Sequence, residues 1–122
     1  MKKTINISYC HCSLDELTAA DRQVVEAAFE ATRQAYAPFS GFRVGAAARL
    51  RSGEIITAAN CESEVFPSGL CAERSLLHFY ATNYASDPIE VFAIASDPSE
   101  RECYPCGACR QVLLDAERRQ QS

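Results

Sequence analysis

Three cysteines constrain this chain more than any other feature. Cys106 and Cys109 stand at i and i+3 in Pro105-Cys-Gly-Ala-Cys109, and Cys71 opens Cys71-Ala-Glu-Arg74 far upstream. A spacing of three puts both downstream thiols on one face of a single helical turn, and proline is well suited to open that turn. Helix N-termini carry partial positive charge and free N–H groups, so they favour the thiolate that a metal requires. The small residues between the cysteines leave space for an ion. A fold that also brings in Cys71 gives three protein ligands, and three ligands leave the fourth tetrahedral position of zinc open to water, the catalytic arrangement. Glu73, two residues past Cys71, is then placed to act as general acid and base beside that position. Three thiolates leave the site with excess negative charge, and Arg74 and Arg110 flank the cysteines as expected donors to sulfur.

Other readings compete. A bare C-x-x-C also occurs as a redox pair or as two core residues. Cys103, Cys106 and Cys109 together resemble the opening of an iron–sulfur ligand run. That reading lacks a cysteine after Cys109 and leaves Cys71-Ala-Glu-Arg74 without a purpose. Cys103 is expected to be a strand-end or surface thiol, and Cys61 a small packing residue. In Cys10-His11-Cys12, adjacent side chains on an extended arm point to opposite faces, so no metal role is expected.

The rest of the chain supplies the frame. Residues 1–17 begin with alternation at Ile5, Ile7 and Tyr9, as in a short edge strand or an ordered arm. Thr18 is a helix cap, and Val25, Phe29 and Tyr36 mark one face of the helix that follows, widened by Val24, Ala28, Ala31 and Ala35. Pro38 is expected to end it. Two apolar runs, 42–50 and 54–59, flank Ser52-Gly53 and predict a β-hairpin. Pro67-Ser68-Gly69 is a break, 71–84 a helix, 89–95 a buried strand and 106–119 a last helix. The order predicts an α/β fold, helices over a mixed sheet.

The 122 residues suit one domain, expected to run over 1–122. A net charge of −4 with scattered Lys and Arg argues against a nucleic-acid partner. The start is too polar for a signal-peptide core, and no apolar run approaches the length of a membrane span, so a cytosolic protein is expected. Seven cysteines in a reducing compartment suggest metal ligation before disulfides.

From about Thr18 to Gln111 the chain resembles the small cytidine deaminases that use three cysteine ligands. Four blocks carry the likeness: Tyr36-Ala-Pro-Phe-Ser-Gly-Phe42-Arg-Val-Gly-Ala-Ala47, Asn60-Cys-Glu62, Cys71-Ala-Glu-Arg74 and Pro105-Cys-Gly-Ala-Cys-Arg-Gln111. The resemblance implies a three-layer fold and zinc on Cys71, Cys106 and Cys109, with Arg74, Arg110 and Gln111 supporting the ligands. It implies that Phe42 packs on the pyrimidine, that Asn60 and Glu62 hold the ribose hydroxyls, and that the Ala72 backbone helps hold the base. In the implied reaction, metal-activated water attacks C4 of cytosine while Glu73 protonates N3 and then the departing amine. The implied setting is pyrimidine salvage by a homo-oligomer, a tetramer or a dimer. A deaminase of a cytosine-containing antibiotic such as blasticidin, or a non-catalytic zinc module, are the alternatives. The chain departs from the family pattern at Ser63-Glu64-Val65, where Asn usually follows the ribose-binding Glu, at Tyr104, where a small Ser is common, and at Phe39, often Tyr. The family's two further strands and short helix after the last helix are expected to be absent.

Overall fold

The computed structural model describes residues 1–99 and 103–121. Ser122, the expected end of the domain, and residues 100–102 lie outside that description. The hairpin forms where the turn signal placed it: β1 (Arg43–Leu50) runs antiparallel to β2 (Ile55–Ala59). Gly53 at φ 97 takes the left-handed backbone this turn needs. A third strand, β3 (Ile89–Asp97), pairs with the other side of β1, giving the order β2-β1-β3. Both pairings are antiparallel. A mixed sheet was expected; among the described residues the parallel element is a single bridge between Tyr36 and Cys61.

Alternation along β1 divides the core. Ala46, Ala48 and Leu50 face the helix α2 (Ala72–Asn83) and meet Ala72, Leu76 and Tyr80. On the opposite face, Ala47 and Ala95 meet Val24 and Ala28 of the helix α1 (Ala19–Ala31). Helix, sheet and helix therefore stack as the expected three layers. The last helix, α3 (Gly107–Gln121), packs beside α2.

The buried stripe of α1 keeps the small residues of the expected face and loses its aromatic ones. Val24, Ala28 and Ala31 are buried, whereas Phe29 and Tyr36 are 43% and 58% exposed. Close approach to the sheet decides this. A Cβ on Gly45 would lie 2.0 Å from the Ala28 carbonyl oxygen, so only small groups fit at the crossing. The α-helix also stops at Ala31, ahead of Pro38, and tightens into a 3₁₀ turn over Thr32–Gln34. Residues 1–13 form no strand, and Ile5, Ile7 and Tyr9 are exposed.

Candidate metal centre

Cys71 and Cys106 occupy equivalent places at the starts of α2 and α3. The Cys71 carbonyl accepts the first helical bond from Ser75 N–H, and the Cys106 carbonyl accepts from Arg110 N–H. Cys109 follows in the first turn of α3 and is buried. With the two helices side by side, all three Sγ atoms lie within 4.8 Å of one another. Sγ of Cys106 is 3.9 Å from Cys71 and 3.3 Å from Cys109, and all three are free thiols. Zn–S bonds of about 2.3 Å at tetrahedral angles set neighbouring sulfurs about 3.8 Å apart. The donor set therefore fits zinc, and the spacing needs only small adjustment.

Local electrostatics prepare the site for a cation. Cys109 N–H donates to the Cys106 sulfur at 3.4 Å, the position a capping oxygen would fill, and this bond lowers the Cys106 pKa. Burial pushes the Cys109 thiol up to about 12, with the Cys106 sulfur and the charge of Glu73 adding to the rise. A cation bound there would favour the thiolate and offset this rise. Arg74 donates to the Cys71 sulfur at 3.5 Å and is held more firmly protonated by that bond and by Cys109. Arg110, expected to do the same, directs its Nε to the Pro105 carbonyl at 3.0 Å. From the first turn of α3 its side chain folds back onto the carbonyl that precedes the helix. Gln111 is exposed and donates to Asp115, along its own helix.

Glu73 is the buried acid here, 4% exposed in the first turn of α2. Beside Cys71 opens a cavity of about 710 Å³ whose wall includes Cys71, Arg74, Asn60 and Glu62, while Cys106, Cys109 and Glu73 lie off that wall. Asn60 accepts from Val44 N–H at 2.8 Å and donates to the Phe42 carbonyl at 3.0 Å. Glu62 accepts from the N–H groups of Phe39 and Ser40, and from the Ser40 hydroxyl. These donors hold its carboxyl below the usual range, the Ser40 hydroxyl foremost. Phe42 is half-buried and Ala72 fully buried, and neither lines the cavity. Cys61, expected to pack inside, is exposed on the cavity wall because its backbone bridges Tyr36 and Leu70. Cys10 and Cys12 stay on the exposed arm, and Cys103 is half-buried.

Ser40 and Gly69 escaped the sequence reading. Ser40 anchors Glu62, and the turn signal Pro38-Phe-Ser-Gly41 was the available clue. A Cβ on Gly69 would come within 3.0 Å of the Cys61 carbonyl, so glycine lets the 3₁₀ turn Phe66–Ser68 close over residues 61–63.

Residues 18–121 match the family described as the cytidine and deoxycytidylate deaminase zinc-binding region. The chain belongs to that family. Among relatives of this deaminase family, the cytidine deaminase of Halalkalibacterium halodurans is 38% identical over 78% of this chain and 71% of its own length. A probable cytidine deaminase of Dictyostelium discoideum is 36% identical over 75% of this chain, which spans less than two thirds of that protein, 61%. The blasticidin-S deaminase of Bacillus cereus is 31% identical over 93% of this chain and 77% of its own length. The crystal structure of the Burkholderia pseudomallei cytidine deaminase superposes with a TM-score of 0.69 at 35% identity, covering 80% of this chain and 76% of that one.

Proposed function

We propose that this chain hydrolyses the amino group of cytidine or deoxycytidine, giving the uridine counterpart and ammonia. The observation that carries this reading is the meeting of three sulfurs at two helix starts beside the buried Glu73. Cys71, Cys106 and Cys109 would hold zinc, which when bound would supply the Lewis acidity that makes water reactive towards C4. Glu73 takes a proton from the attacking water and passes it to N3 of the ring. It then moves the second proton to the departing amine, so one water is consumed and one ammonia leaves. Arg74 offsets the charge of the thiolates through its bond to Cys71.

Substrate contacts follow from what the side chains have to spare. Of the roughly four acceptor directions on a carboxylate, the Ser40 and Phe39 donors use three, which leaves Glu62 one for a sugar hydroxyl. Asn60 keeps one amide hydrogen beyond its bond to Phe42. One donor and one acceptor at the cavity wall suit a diol. Phe42 and the Ala72 backbone, although off the cavity wall, are the contacts this reading assigns to the base. The protein works in pyrimidine salvage in the cytoplasm as a homo-oligomer, a tetramer or a dimer. The exposed Phe39, Val65 and Phe66 on this side of the molecule are the kind of apolar surface such assembly covers.

The blasticidin-S deaminase match over nearly the whole chain favours a second reading, a cytosine-containing antibiotic as substrate. Absorbance assays of cytidine and of that antibiotic, with zinc measured on the same sample, separate these outcomes. Stoichiometric zinc with cytidine turnover is expected. Preferential turnover of the antibiotic selects the second reading, and stoichiometric zinc with neither substrate consumed leaves a structural zinc module.

A further inference from the structure

Cys106 and Cys109 stand at one helix start with opposite access to solvent. Cys106 is exposed, Cys109 is fully buried one turn on, and their sulfurs are 3.3 Å apart. That is closer than the spacing of about 3.8 Å that neighbouring ligands keep around zinc, and about 1 Å longer than a covalent S–S bond. The Cys71 sulfur is 3.9 Å from Cys106 and belongs to another helix, whose Ala72, Glu73 and Leu76 are buried, so a bond to Cys71 would shift a packed element. A bond within α3 shifts one turn. Gly107, between the pair, meets nothing outside its own turn within 4 Å of where a Cβ would stand, and the buried residues of α3 are Cys109 and Ala116.

We propose that Cys106 and Cys109 are a thiol–disulfide pair: small disulfides of the glutathione class oxidise them to an internal disulfide that cannot hold zinc, and small thiols restore them. This rests on the zinc assignment in the deaminase reading and adds a redox control to that site. The exposed Cys106 sulfur attacks one sulfur of the small disulfide, whose S–S bond breaks and releases one thiolate. The Cys109 sulfur then attacks Cys106 Sγ, forming the internal bond and releasing the second thiolate. The pair gives up two electrons, the small disulfide takes them, and any proton the pair held passes to the thiolates released. A bonded pair offers no thiolate, so Cys71 alone is left of the donor set.

The test titrates the zinc-loaded protein with oxidised glutathione. Zinc release is read with a chromogenic chelator, bonded peptides by tandem mass spectrometry, and cytidine turnover by absorbance. One zinc released per Cys106–Cys109 bond is expected, with turnover falling in proportion and both restored by a dithiol and fresh zinc. Cys71→Ser and Cys103→Ser are expected to keep the bond, whereas Cys109→Ser stops at a mixed disulfide on Cys106. If Cys109→Ser does not fold, the parent and Cys103→Ser still decide. No bond, a bond from Cys106 to Cys71 or Cys103 in its place, or zinc retained after the bond has formed overturns the proposal. A reduced parent that takes up no zinc fails the zinc assignment instead. The bond is then sought in that protein by mass, and its presence or absence decides the thiol–disulfide pair.

Discussion

Glu73 adjoins the sulfurs and Glu62 lies on the cavity wall that Cys71 shares, and their surroundings separate their roles. Glu73 is buried with no positive partner from Arg74, which serves the thiols instead. Buried beside the Cys109 sulfur, it is the group placed to carry a proton. Glu73→Gln is expected to retain zinc and lose about 10³-fold in kcat, read by cytidine absorbance and metal content together. Glu62 is fixed by three donors that favour its ionised form. Its pKa in the folded chain lies below the unfolded value, so its contribution to stability is complete above about pH 4.3 and is lost as pH falls through the lower, folded value. The parent should therefore lose Tm more steeply than Glu62→Gln on acidification below that range, measured by thermal melts across pH. Equal slopes would mean that the Ser40 anchor adds nothing to folding.

At the scale of elements, β1 is the central strand and α1 lies against it with almost no clearance. Gly45→Ala drives a Cβ into the Ala28 carbonyl, a backbone atom that cannot move alone. It is expected to cost about 3 kcal/mol, read as a lower urea midpoint at unchanged m-value. The hairpin, α2, β3 and α3 were legible in the sequence because each has its own local signal. Gly53 marks the turn, and the cysteines and Pro105 mark the helix starts. The tight crossing at Gly45 was not legible, since it depends on the distance between two elements. The same limit explains why Phe29 and Tyr36, expected on the inner face of α1, are exposed, whereas Val24, Ala28 and Ala31 of that expected face are buried. Hydrophobicity favours the large side chains, while the available gap admits Val24, Ala28 and Ala31. Arg74 and Arg110 show the limit at the site. Both flank ligands in the sequence, but only the structure reveals which one turns towards sulfur and which towards a carbonyl.

Across the whole molecule, the metal centre is the point where α2 and α3 are tied together. α3 buries only Cys109 and Ala116, so apolar packing alone holds it weakly. Removing zinc with a chelator is therefore expected to lower Tm markedly and reversibly. A metal present at about 100 times its dissociation constant adds about 2.7 kcal/mol to the folded state. Calorimetry with and without chelator checks this, and an unchanged Tm would show that the sulfurs do not bind metal. A second attachment lies at the far end of the helix. The Gln120 side chain accepts from Ile89 N–H at 2.7 Å and donates to the Ile89 carbonyl at 3.2 Å, and Tyr80 donates to the same amide oxygen at 3.3 Å. α3 is thus pinned at both tips, like a spoke between hub and rim. Adding or deleting one residue between Cys109 and Gln120 would rotate one pin against the other by about 100°. The spoke could then engage the ion or the strand but not both, so the length of this segment is as much a part of the site as the thiols themselves.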